Sequence, residues 1–233
     1  MDHSLDILFE DNHCIAVTKP AGLLTQAPPN VPSLEAMVKQ HIKSKHAKPG
    51  NVYLGVPHRL DRPVSGIVLF ARNSKAAGRL AEQFRERQVT KVYWGAVEGT
   101  LESSAGRWSD WMRKVPDEAL AVRAAANEPD AKLAELKWRL LRPLVSGSLV
   151  EFILITGRMH QIRLQSSLHG HPIIGDATYG ATTNFGPEAE LPRDRIIALH
   201  ARSLTFLHPL CYEPTTLTAP LPADWNTLGA LVE

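Results

Sequence analysis

Apolar positions recur along this chain with two different periods. The run IVLFA, introduced by Ser65 and Gly66, is apolar at every position. That is the pattern of a strand covered on both faces, in the middle of a sheet. Upstream, HCIAVTKPAGLLT reads as a short strand ended by Pro20 and Gly22. In TKVYWGAVEG the sides alternate: Tyr93, Gly95 and Val97 share one, and Val92, Trp94 and Ala96 the other. LAELKWRLLRP and SLVEFILIT, joined through LVSG, predict a hairpin. RIIALHARSLTFLHP and EPTTLTAP predict two further strand regions. The helical period appears behind Ser33, a good N-cap, where Leu34, Met37, Val38 and Ile42 share a face. It appears again in NSKAAGRLAEQFRERQ, with Ala77, Leu80, Ala81 and Phe84 inward and a charged, solvated face outward. RMHQIRLQSSLH has helical spacing, with Gly170 placed where the chain would leave the helix. ADWNTLGALVE predicts a short closing helix. Between Leu101 and Asp130 the periodicity fades, and charge, Pro and two Trp mix. This predicts a long irregular excursion or loose hairpin of the kind that is usually functional or mobile.

Strands outnumber helices and do not alternate with them, which argues for a mixed, mainly antiparallel α+β fold rather than a doubly wound sheet. No glycine-rich dinucleotide or phosphate loop and no nucleophile elbow occurs. With 233 residues and 44% hydrophobic content, the chain can build one large domain or two intimate halves. Its 26 basic and 24 acidic residues leave a net charge of +2, so any contact with nucleic acid must come from a local patch. The two cysteines, Cys14 and Cys211, form no CxxC and are expected as reduced thiols in a cytosolic protein. The N-terminus does not read as a signal peptide, and no apolar run is long enough to span a bilayer.

Three groups could carry chemistry. In HRLDRPVSG, Asp61 sits among Arg59 and Arg62 directly in front of the apolar run. If the segment is extended, Arg59, Asp61 and Pro63 share a side. An Asp beside Arg is held in its charged form and can serve as a nucleophile; the alternative is a surface ion pair in a turn. In TGRMHQIR, Arg158 and Gln161 fall near one helical face and His160 and Arg163 near another. Two arginines at a helix start make an anion site, and Arg163, flanked by Ile162 and Leu164, needs a specific partner. Tyr93 is either core or a platform for a base. The ten His are scattered, and no metal constellation stands out.

Taken together, these segments resemble the RluA-type pseudouridine synthases. The resemblance is carried by ILFEDNHCIAVTKPAGLL, HRLDRPVSGIVLFARN, KVYWGAV, TGRMHQIRLQ, HPIIGDATYG and IALHARSLTFLHP, and extends from about Ile7 to the Pro222 region. It departs from the family pattern at Val64, where a Thr is usual, and in IRLQSS. The resemblance implies a pseudouridine synthase fold: a mixed, mainly antiparallel sheet with flanking helices and a central RNA-binding cleft. It implies a single catalytic domain over 1–233, in two intimate halves and without a separate S4 domain. It implies isomerisation of uridine to pseudouridine in tRNA or rRNA, without a cofactor or metal. Asp61 would be the essential carboxylate, Arg163 its partner, and Tyr93 a platform for the flipped base. Arg59, Arg62, Lys19 and Arg158 would contact RNA, and segment 101–130 would contribute to its selection. RNA is the expected partner, with no membrane and no obligate protein partner, and the expected location is the cytoplasm. Two rival readings remain: an RNA-binding protein without turnover, and a hydrolase pairing Asp61 with His58.

Overall fold

The computed structural model describes residues 5–47, 49–191 and 194–229. In chain order the strands are β1 (Asp6–Glu10), β2 (Cys14–Lys19), β3 (Ser65–Ala71), β4 (Thr90–Val97), β5 (Ala105–Lys114), β6 (Ala121–Arg123), β7 (Lys132–Leu144), β8 (Gly147–Leu154), β9 (Leu199–Leu207) and β10 (Pro214–Thr218). The α-helices are α1 (Leu34–Lys45), α2 (Ser74–Arg85) and α3 (Gln161–Leu168), with 3-10 turns at Ala177–Tyr179 and Ala223–Leu228. Contacts divide the chain into two compact units. One comprises Met1–Val89 and Ala201–Pro220, the other Thr90–His200 and Leu221–Glu233.

In the first unit β1, β2 and β3 pair antiparallel, and β10 pairs antiparallel with β9. All seven residues of β3 are buried, as expected of a strand apolar at every position. One face, with Ile67, Leu69 and Ala71, packs with Cys14 and Ala16 of β2, Ala76 and Leu80 of α2, and Leu204 and Phe206 of β9. Beyond Gly66, the β3 edge turned away from β2 is completed by a loop. Gly55 exchanges two backbone hydrogen bonds with Ala71, of 2.8 and 2.9 Å, and the Leu69 N–H donates to His58 Nε2 at 2.9 Å. His58 therefore takes the place of a strand neighbour, and its ring is stacked on Phe84 at 4.6 Å.

Ser33 caps α1 as its sequence predicts, its hydroxyl accepting the Ala36 N–H. In α2 the expected inner face needs correction. Ala76, Leu80 and Gln83 are buried, whereas Ala81 is exposed. Gln83 turns inward because its amide acts as a strand neighbour for Leu207. It donates to the Leu207 carbonyl at 2.8 Å and accepts the Leu207 N–H at 2.9 Å, so its polar atoms are satisfied inside.

In the second unit the strands run β4–β8–β7–β5–β6, with antiparallel pairings throughout. The expected β7–β8 hairpin is present. Of the two forms expected for 101–130 the hairpin is the one present, more regular than anticipated: residues 105–114 and 121–123 are strand and pair antiparallel. Trp108 and Met112 are buried on one face, while Ser109 and Trp111 are exposed on the other. The alternation is masked in sequence because the inward position between them is Asp110. The helix anticipated from Arg158 begins only at Gln161, after His160 adopts a left-handed φ of 52°. Its Leu164 packs with Met112, Ala121, Ala134 and Tyr179. The closing helix is a 3-10 turn, and residues 230–233 of its predicted span lie outside the described residues. Among the described residues, no helix is long and apolar enough to cross a membrane.

Gly66 has a left-handed φ of +116°, and a Cβ there would lie 2.3 Å from the Ala201 carbonyl oxygen. Gly78, exposed within α2, would meet nothing within 4 Å. Replacing Gly66 with Ala is expected to lower unfolding stability by about 3 kcal/mol or more, because backbone must shift. Gly78→Ala should raise it by about 0.5–1 kcal/mol. Urea titration of both variants checks the opposite signs.

Candidate active site

In the first unit, Asp61 begins a four-residue turn closed by the Val64 N–H donating to the Asp61 carbonyl at 3.1 Å. The segment is therefore not extended, and Pro63 does not share a period-two side with Asp61. The loop after β2 grips this turn on both sides of Asp61. Before it, the buried Thr25 hydroxyl donates to the Leu60 carbonyl at 2.9 Å and accepts the Leu60 N–H at 3.1 Å. After it, the Arg62 carbonyl accepts the Gly22 N–H at 2.8 Å and Lys19 Nζ at 3.1 Å. Arg62 Nε in turn donates to the Gly22 carbonyl at 2.9 Å. Asp61 itself is half-buried and Arg59 is exposed.

Lys19 requires a correction. The resemblance implies that it contacts RNA backbone, but it is fully buried. Its ammonium donates to the carbonyls of Pro20 (3.0 Å), Leu23 (2.7 Å) and Arg62 (3.1 Å). Those bonds use all three of its donors. Burial pulls its pKa down to about 7, opposed by the charge of Asp61 and aided by that of Arg62. Lys19 is thus an internal ammonium that titrates near neutrality in the electrostatic field of Asp61, and it does not face solvent.

In the second unit, Arg163 is buried and holds Asp176 bidentately, Nε to Oδ2 at 2.6 Å and Nη2 to Oδ1 at 2.8 Å. Its guanidinium lies over the Tyr179 ring, 5.0 Å from the centroid, so a cation–π contact adds to the ion pair. The Tyr179 hydroxyl meets His160 Nδ1 at 2.9 Å and accepts the Ala121 N–H at 3.0 Å. Gln161 pins the turn before α3 with all four of its hydrogen-bonding positions. Its Oε1 accepts from Thr156 and from the Arg158 N–H, and its Nε2 donates to the Glu135 carbonyl and to Gln165. Arg158 donates Nε to the Leu133 carbonyl at 3.1 Å. Tyr93 is half-buried on β4, paired across from Phe152. Gly95 leaves the room that the Phe152 ring fills, since a Cβ there would lie 2.8 Å from that ring.

Sequence spacing does not single out Asp176 or Tyr179. HPIIGDATYG contains both, and a buried Arg in α3 implies a carboxylate somewhere, but nothing in the spacing says which. As the base of a hydrolase, His58 fails: its Nε2 accepts the Leu69 N–H, which removes that atom from proton transfer. Sequence spacing also misses a cluster in the first unit, where ligand atoms of Asp11, Cys14 and His208 lie within 4.8 Å of one another. Hydrogen bonding within the chain engages these groups. Asp11 Oδ1 accepts the N–H groups of His13 and Cys14, and Oδ2 meets His208 Nε2 at 2.9 Å. Burial, with the Asp11 charge adding, pushes the Cys14 thiol pKa up.

Comparison with known proteins adds an independent finding. Residues 13–168 match the family model described as RNA pseudouridylate synthase. The chain is 35% identical to the dual-specificity RNA pseudouridine synthase RluA of Haemophilus influenzae, covering 92% of each. It is 34% identical to the ribosomal large subunit pseudouridine synthase D of Xylella fastidiosa, over all of this chain and 71% of that one. Among solved structures, human RNA pseudouridylate synthase domain containing 4 aligns with a TM-score of 0.77 at 25% identity, covering 96% of this chain and 93% of that one.

Two outcomes test these constraints. Asp176→Ala removes the two hydrogen bonds between its carboxylate and the buried Arg163, and is expected to cost about 3–5 kcal/mol; a loss below about 1 kcal/mol in urea melts would refute the constraint. For Lys19, the folded pKa near 7 lies below the unfolded value of 10.5. Between them the unfolded chain binds the extra proton, so this contribution to stability grows with pH and is lost as pH falls through about 7. Wild type should therefore gain on Lys19→Met as pH rises from roughly 7 to 10. A constant difference in melting across that range would contradict the assignment.

Proposed function

The chain belongs to the RNA pseudouridylate synthase family, isomerases that act on RNA, and we propose that Asp61, Tyr93 and Arg163 are its catalytic residues. Pseudouridine formation breaks the bond from C1′ to N1, turns the uracil, and joins C5 to C1′. The proton at C5 leaves and N1 gains one, so atoms and electrons balance without a cofactor. Asp61 acts at the ribose, by attack on C1′ or by taking the C2′ proton. The observation that carries this assignment is the clamp on its turn. Both neighbours of Asp61 are fixed through their backbone, and a buried cation contributes to the field around it, which is how a reacting group is held in one geometry. Tyr93 stacks on the target base, which must leave the helical stack to react. Arg163 is the guanidinium of the set, kept rigid by Asp176.

The substrate we propose is a uridine in tRNA or ribosomal RNA in the cytoplasm, with no protein partner required. Arg59 is exposed and free to meet phosphate, and Arg62, fixed through its Nε on the Gly22 carbonyl, is the second cation beside Asp61. The outcome expected with RNA carrying tritium at uridine C5 is release of label by the wild-type chain and none by Asp61→Ala, with RNA retained on filters by both. Substantial release by the variant would remove Asp61 from the reaction.

A further inference from the structure

A cavity of about 500 Å³ lies wholly within the second unit, where the end of β5, the start of β7 and the Gly157–Met159 turn meet. Its volume falls in the ~300–1,000 Å³ range of ligand pockets. Its charge is one-sided. Arg113, Lys114, Lys132 and Arg158 line it, against the single carboxylate of Asp130. Arg113 is partly neutralised by Glu128, at 3.3 Å; discounting it, three cations still face one acid. Lys114 and Lys132 are exposed, and neither makes an ion pair with a described residue. Arg158 is fixed by its Nε on the Leu133 carbonyl, which leaves its two terminal nitrogens as a fork, the geometry suited to phosphate oxygens.

We propose that this cavity binds the phosphodiester backbone of the substrate RNA. The inference rests on the RNA-modifying reading and deepens it. In a chain of net charge +2, a general field does not hold a polyanion, so a local excess of cations has to. The β5–β6 arm thereby acquires a role. It carries two of the four cations, and Lys132 and Arg158 come from the strand and turn beside it. The site grips RNA without taking part in chemistry, so it governs affinity and leaves the rate on bound RNA alone.

The test uses the full chain with unmodified tRNA and large-subunit rRNA transcripts, measuring Kd by filter binding at several salt concentrations and single-turnover rates at saturating RNA. Lys114→Glu with Lys132→Glu should raise Kd about tenfold or more at physiological salt. It should also flatten the salt dependence by roughly 0.7 for each phosphate that is no longer neutralised, with the saturated rate unchanged. Asp130→Asn removes the one acid, and asparagine tolerates the left-handed φ of 60° at this position; Kd should fall. Lys43→Glu with Lys137→Glu makes the same change in net charge outside the cavity and should move Kd much less. A salt-sensitive wild-type Kd that the double reversal leaves unmoved, or that both double reversals raise equally, overturns the cavity while the RNA reading stands. Absence of any wild-type binding overturns both.

Discussion

The first unit depends on where the Lys19 ammonium is placed. A cation with no exposure must replace its lost hydration, and here three carbonyls do so. Two belong to the turn that ends β2, and the third belongs to Arg62. One buried charge therefore ties the end of a core strand to the residue after Asp61. Because β2 is paired with β3 from Cys14↔Ala71 to Lys19↔Gly66, the same bond fixes both ends of the 61–66 segment against one strand. The Thr25 hydroxyl closes the other side through Leu60. The backbone on both sides of the carboxylate is thereby held in place.

The second unit solves the same problem with different groups. Arg163 is buried on a helix, and its desolvation is offset by a bidentate carboxylate and an aromatic face. Asp176, almost fully buried, sits in a turn whose backbone carbonyl accepts from Tyr179 and Ala181. Tyr179 then links back to His160 and Ala121. Gln161 saturates its amide against β7 and the preceding turn. A partly satisfied buried network would be costly, whereas a satisfied one selects a single arrangement. Residues that look catalytic in the Thr156–Arg163 motif thus divide their work, and Thr156 and Gln161 position the turn.

Much of this fold is legible in the sequence wherever burial is apolar. β3, the inner face of α1 and the β7–β8 hairpin follow from periodicity. It fails where a polar side chain points inward with a partner. Asp110 interrupts the alternation of β5 yet is satisfied by Gln165 and His169. Gln83 displaces Ala81 from the inner face of α2 because it pairs with the backbone of Leu207. Val64, which departs from the family pattern, is buried and lacks a hydroxyl that would need a partner there. For the site, residue types pointed to Asp61 and Arg163 as chemical groups, but Asp176 lies thirteen positions beyond Arg163 in a turn, and no helical or strand period connects them.

The basic residues show why such partners are hard to read. Lys19, Arg62, Arg158, Arg163 and Arg59 look alike in sequence, as cations in or near motifs. Folding sorts them by the acceptors within reach. Lys19 meets three carbonyls and becomes internal, and Arg163 meets a carboxylate and becomes a rigid core cation. Arg62 and Arg158 each give Nε to a carbonyl, while Arg59 remains exposed. A Lys or Arg type fixes charge and donor count, but the acceptors come from other places: the turn after β2 and the Asp61 segment for Lys19 and Arg62, the β7 carbonyl of Leu133 for Arg158, and the Asp176 carboxylate for Arg163. None of these acceptors is set by the period of the element that carries the cation, so the tertiary placement of acceptors decides which cations serve structure.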